Sequence, residues 1–151
     1  MACASAASSV DGIKPFFGTK YSYSSQEGSF SDVLDNVGVG FFTRKSAALA
    51  SPTLSLTESE GKPGYYVLHT KSTFKSYDVE FKPDEEFDYH TADGRDVKYF
   101  VKFEGNKMIE TQKNKDDGRT LHIERIFSKD EMKVNMKAGD AFSNRIYKAE
   151  N

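Results

Sequence analysis

Three side chains in the last third of the chain stand where a polar group is costly. The run Thr120–Phe127 alternates, with Leu121, Ile123, Arg125 and Phe127 on one face and His122 and Glu124 on the other. In Ala141–Lys148, Arg145 and Tyr147 share a face with Ala141 and Ser143, and between these runs Met132, Val134 and Met136 line one face of Met132–Lys137. If the strands curl into a barrel, one or two arginines and a tyrosine point inward among apolar neighbours. A buried guanidinium without a counter-charge costs several kcal/mol, so each arginine implies an anion. No acidic residue occupies the matching face of either strand. Two sources of that anion stay open: a carboxylate elsewhere in the barrel, or the carboxylate of a ligand.

Other chemistries find little support. His69, His90 and His122 fall in separate runs without paired ligand spacing, so no metal site is expected. The acidic cluster Asp84, Glu85, Glu86 and Asp88 lacks calcium-loop spacing, and Gly38-Val39-Gly40 is too short for a phosphate loop. No nucleophile-elbow signature is present, and the one cysteine, Cys3, excludes disulfide frameworks and four-thiolate zinc sites. A single thiol suits a reducing compartment, and the cytoplasm is the expected address. With 21 basic and 23 acidic residues the net charge is −2, which argues against a nucleic-acid partner. The run Lys98–Phe103 resembles a base-stacking strand only faintly, because the rest of an RNA-binding βαββαβ pattern is missing. The mean hydropathy of −0.64 excludes a membrane-spanning chain of the helical kind. A non-enzymatic protein with no cofactor is the expectation.

The elements that must position Arg125, Arg145 and Tyr147 are strands. From Tyr65 onward, short aromatic and β-branched runs alternate with turn clusters such as Asp93-Gly94, Gly105-Asn106, Asp116-Asp117-Gly118 and Gly139-Asp140. Runs repeating at about ten-residue spacing with such tight turns pair antiparallel. Ser29–Leu49 breaks the pattern: Phe30, Val33, Leu34 and Val37 fall at helical spacing behind Ser29 or Ser31 as N-cap, and Gly38–Gly40 separates a second helical run. One strand (about Phe17–Ser25), two short helices and then nine strands are predicted. Residues 1–14, opening on an Ala/Ser-rich run, read as a flexible tail, and residues 15–151 as one all-β domain. Aromatic residues reach 13% against a hydrophobic total of only 37%, so the apolar content is concentrated in rings.

The residues resemble the intracellular lipid-binding proteins, in particular the fatty-acid-binding branch. The matching segments are Gly38–Arg44, Pro52-Thr53, Ser72–Lys75, Phe81-Lys82, Glu85–Asp88, Thr91–Arg95 and Arg145-Ile146-Tyr147, in the family's order and near its spacing. The resemblance implies a ten-stranded antiparallel up-and-down β-barrel of the clam type, with a helix-turn-helix lid between strands 1 and 2. It implies a monomeric cytoplasmic carrier holding a long-chain fatty acid, its carboxylate received by Arg125, Arg145 and Tyr147. It further implies that Phe74 forms part of the portal, that Phe30, Pro52, Ala92 and Asp93 line the cavity, and that Ile123, Val134 and Met136 lie near the headgroup or alkyl chain. A retinoic-acid-type carrier is the nearest alternative, and a ligand-free barrel with a structural or protective role is a third. Arg44, Lys45 and Lys75 read first as a solvated basic face and alternatively as a patch for ligand entry or transient contact with anionic membranes through the lid. Two features depart from the family pattern. Lys20 stands where an aromatic residue is usual, so Tyr21 or Tyr23 is expected to take over that packing through a shifted register. The stretch from Gly18 to Phe30 is also about two residues longer than usual.

Overall fold

The computed structural model describes residues 7–150. A 3-10 turn at Lys14–Phe16 leads into strand β1 (Tyr21–Gly28), followed by helices α1 (Phe30–Asn36) and α2 (Phe41–Leu49). Nine strands then run to the end: β2 (Thr53–Glu58), β3 (Tyr66–Lys71), β4 (Tyr77–Phe81), β5 (Phe87–His90), β6 (Asp96–Glu104), β7 (Lys107–Asn114), β8 (Thr120–Phe127), β9 (Glu131–Ala138) and β10 (Ala141–Ala149). All are antiparallel to their neighbours in the order β4-β3-β2-β1-β10-β9-β8-β7-β6-β5, so the chain's first and last strands pair. Only β4 and β5 stay unpaired at the seam. Both are short, five and four residues, which limits the edge that a foreign strand could extend.

Local chemistry sets the lid. The Ser29 hydroxyl accepts the Asp32 amide at 3.1 Å and caps α1. The helix ends where Gly38 takes φ +89, which lets Val39 N–H return to the Leu34 carbonyl at 3.0 Å. Val33 and Leu34 bury themselves against the barrel, while α2 buries only Ala47 and leaves Phe42 and Leu49 exposed. No helix among the described residues is long and apolar enough to cross a membrane.

Strand alternation is regular: β8 buries Leu121, Ile123, Arg125 and Phe127, and β10 buries Ser143, Arg145 and Tyr147. The first strand begins later than expected, at Tyr21, because the chain turns at Gly18, whose N–H binds the Leu56 carbonyl at 2.9 Å. A bulge between Tyr23 and Ser25 absorbs the longer junction and shifts the register against β10. Both tyrosines of this strand pack on aromatic neighbours. Tyr21 is fully buried, donates its hydroxyl to the Ser128 carbonyl at 2.8 Å and meets Phe127 edge-on at 5.7 Å. Tyr23 meets Tyr147 edge-on at 5.7 Å.

Rings close the end of the barrel away from the helices. Phe16 stacks on Phe127, Phe17 meets Tyr66 at a tilt, and Tyr66 and Phe81 both pack on Phe103. The segment just before these rings belongs to residues 1–14, expected from the sequence to be a flexible tail. Residues 1–6 of that tail lie outside the described residues, but Ser8 onward packs on the barrel. The Ser8 backbone and hydroxyl donate to the Asp84 carboxylate at 2.7 and 2.9 Å, and the Phe103 N–H donates to the same hydroxyl at 2.8 Å. Gly12 lies so close to Gly105 that an added Cβ would meet the Gly105 carbonyl carbon at 2.6 Å. That approach delivers Ile13, fully buried, into the aromatic floor. The polar composition of the leader hid one anchor, and one anchor suffices to order a turn whose backbone bonds are made.

Replacing Ile13 by Ala is expected to lower the unfolding free energy by about 2–4 kcal/mol, with the denaturant slope unchanged. A loss below about 0.5 kcal/mol in urea titration would mean that the segment does not pack as described.

Candidate functional site

Inward-facing side chains of the barrel and the underside of α1 enclose a cavity. Its core leaves about 140 Å³ of free volume, and about 950 Å³ is free of atoms when the open mouth is included. Every residue singled out from the sequence lines this one space: Arg125, Arg145 and Tyr147, then Phe30, Pro52, Phe74, Ala92, Asp93, Ile123, Val134 and Met136. They come from the lid, from the β3–β4 and β5–β6 turns, and from β8, β9 and β10, so the fold assembles what the chain scatters.

The two arginines left open by sequence resolve differently. Arg125 donates from Nε to Glu110 Oε2 at 2.6 Å, and Glu110 on β7 is fully buried. The other Glu110 oxygen accepts the Tyr99 hydroxyl. Register explains the meeting. Arg125 pairs with Met108 and Tyr99 with Gln112, each two residues from Glu110 on the inward face, so Glu110 has both as diagonal neighbours. Burial alone would push the Arg125 pKa down, but the Glu110 carboxylate outweighs it and holds the guanidinium charged more firmly than usual. The same burial, reinforced by Glu110, pushes the Tyr99 phenol well up.

Arg145 has no such partner. It is 2% exposed, and no carboxylate among the described residues reaches it. Its guanidinium lies between the rings of Tyr23 at 4.5 Å and Phe30 at 4.4 Å, so aromatic faces supply part of what water would have given. Nη1 donates a long bond to the Tyr147 hydroxyl at 3.4 Å, while Nε and Nη2 are buried without any hydrogen-bond partner. Two N–H donors and a phenolic hydroxyl therefore converge on a mostly apolar space. Such an arrangement can donate to an acceptor group that enters the cavity.

A third arginine lies at the mouth. Arg95 donates to both Asp93 oxygens at 2.8 and 3.0 Å, to Gln112 at 2.8 Å and to Asn114 Oδ1 at 3.2 Å. Asn114 Nδ2 in turn donates to the Val37 carbonyl at 2.8 Å, tying the end of α1 to the barrel wall. Sequence reasoning missed Tyr99 and Arg95 as cavity groups and Glu110 as the buried partner of Arg125. The alternation of Met108, Glu110, Gln112 and Asn114 was the available signal for Glu110.

A sheet rolled into a barrel, capped by two helices, with an interior cavity and one unmatched buried cation, defines a ligand-binding barrel. The model of the lipocalin / cytosolic fatty-acid binding protein family matches residues 19–150, and the chain belongs to that family. It is 37% identical over 139 residues to a muscle fatty acid-binding protein of Schistocerca gregaria, covering 91% of this chain and 99% of the relative. Fatty acid-binding protein 9 of Homo sapiens is 36% identical over 135 residues, covering 89% of this chain and 97% of its own length. Among solved structures, a Schistosoma mansoni fatty acid binding protein in complex with arachidonic acid superposes with a TM-score of 0.81. It is 33% identical, over 93% of this chain and 99% of its own. These three relatives are fatty acid-binding proteins by name.

Burial pushes the Tyr89 phenol in the cavity wall up to about 12, aided by Tyr77 and the carboxylates of Asp78 and Asp93. Because the folded value exceeds the unfolded value of 10.0, its contribution to stability is whole below pH 10 and is lost as pH rises through about 12. The phenolate absorbance difference between the parent and Tyr89→Phe is expected to have its midpoint near 12. A midpoint at the free-phenol value would contradict this placement of Tyr89.

Proposed function

We propose that the protein is a monomeric cytoplasmic carrier that binds one long-chain fatty acid non-covalently, with its carboxylate on Arg145 and Tyr147 and its alkyl chain along the cavity. One observation carries the reading: Nε and Nη2 of Arg145 are buried without partners inside a cavity built mainly of apolar side chains. A carboxylate answers both donors at once, and the Tyr147 hydroxyl is free to donate to the same group. The relatives' names support the choice of ligand, and so does the arachidonic acid complex of the Schistosoma mansoni protein.

The energetics suit an acid with a long tail. Each methylene moved from water contributes about 0.8 kcal/mol, which gives affinity, while the charge-assisted bonds give orientation. Ile123, Val134 and Met136 supply apolar wall near the headgroup, and Phe30, Pro52, Phe74, Ala92 and Asp93 line the way to it. Arg125 is the weaker part of the expected clamp, since Glu110 already occupies its Nε. At the mouth, the exposed Phe42 and Leu49 of α2, close to Arg44 and Lys45, favour transient contact of the lid with an anionic membrane.

Arg145→Gln is expected to weaken fatty-acid binding about 10- to 100-fold and to change binding of the matching alcohol far less. Calorimetric titration of delipidated protein with both ligands checks this, and equal losses would place the carboxylate elsewhere. Mass spectrometry of ligand released from native protein is expected to find a fatty acid. Recovery of retinoid alone would favour the retinoic-acid alternative, and an empty cavity after gentle purification would favour a structural barrel.

A further inference from the structure

The interior holds more charge than one carboxylate needs, and its arrangement has a consequence for selectivity. Among the described residues, three guanidiniums line the cavity: Arg95, Arg125 and Arg145. Arg95 is matched by Asp93 in a two-point ion pair, and Arg125 by Glu110. Arg145 alone is unmatched. The interior therefore presents one net positive charge, and Glu110 is the group that keeps it from being two.

Glu110 is built into this role with no freedom to leave it. It is fully buried, its oxygens are taken by Arg125 on one side and Tyr99 on the other, and Tyr99 is itself clamped by a stacked Phe87 ring at 5.2 Å. Burial keeps the Tyr99 phenol protonated, so it donates to Glu110 and adds no charge of its own. In a low-dielectric interior, a second unmatched cation near the first would attract a headgroup carrying a second negative charge.

We propose that Glu110, held by Tyr99, is a specificity-determining residue: by neutralising Arg125 it restricts the cavity to ligands with a singly charged headgroup, a carboxylate, and rejects doubly charged ones such as a phosphate monoester. This rests on the carrier reading above and deepens it. The rejection works because a dianion would find one cation and one carboxylate, the latter unable to move away. A merely stabilising Arg125–Glu110 pair would leave headgroup selectivity untouched in folded Glu110→Gln.

The test measures palmitate and hexadecyl phosphate binding to the delipidated full chain by calorimetry at pH 8, where the phosphate is mostly dianionic. The parent is expected to prefer palmitate. Glu110→Gln is expected to shift the affinity ratio toward hexadecyl phosphate by about tenfold or more, and the double variant Glu110→Gln/Arg125→Gln to return it to within about threefold of the parent. A ratio unchanged in folded Glu110→Gln overturns the inference. If circular dichroism finds Glu110→Gln unfolded, the ratio in the double variant decides: a palmitate to hexadecyl phosphate ratio within about threefold of the parent supports the neutral pair, and a shift of about tenfold or more in either direction overturns it. Failure of the parent to bind palmitate overturns the carrier reading itself, whereas palmitate binding that depends on Arg145 with an unshifted ratio in Glu110→Gln overturns this inference alone.

Discussion

A guanidinium enclosed by a barrel is the constraint on which this structure depends. Desolvating a cation is costly enough that the fold must answer it, and the barrel answers its three interior arginines in three ways. Arg95 is neutralised at the mouth, where the same side chain also organises Gln112 and Asn114. Arg125 is neutralised in the wall by a carboxylate from the adjacent strand. Arg145 receives aromatic faces, a distant hydroxyl and no anion. Two of the three are thus matched within the barrel, and the third keeps two donors unmatched inside it.

The lid is part of that third answer. Phe30 is the first residue of α1, fixed there by the Ser29 cap, and its ring forms one side of the Arg145 sandwich. Tyr23 forms the other, and it reaches that position on a strand whose bulge follows directly. At the far end of α1, Val37 is bound by Asn114, which also binds Arg95. Both ends of one short helix are thus tied to interior arginines. A seven-residue helix has little stability of its own, so its position is set by these contacts and by the burial of Val33 and Leu34.

Much of this was legible in the sequence because strand alternation is a strict code. Once Leu121, Ile123 and Phe127 fix an inward face, Arg125 must share it, and the same parity places Arg145 with Tyr147. The order of strands and helices followed from turn residues whose conformational needs are local. Glu110 was missed for a different reason. Parity says that it shares a face with Met108, but which neighbour it meets depends on register across two hairpins, and register is set by turn geometry that the residues only bound. Ile13 was missed because its burial depends on Gly12 fitting against Gly105, a contact between distant parts of the chain that no local pattern records.

The concentration of apolar content in rings now has a division of labour. The rings of Phe16, Tyr21, Tyr66, Phe81, Phe103 and Phe127 fill one end of the barrel as a packed floor, and Ile13 plugs it from outside. The upper barrel is built otherwise, with Thr70, Arg95, Gln112, Arg125 and Arg145 among its interior side chains. A chain of low hydrophobic fraction can hold this shape because it needs a dense core only over half its length. The floor supplies the stability, and that freedom is what permits the other half to keep polar groups, open volume and an unanswered charge. Dense packing and open polar volume are thus separated along the barrel axis, with Ile13 buried in the first and Arg145 lining the second.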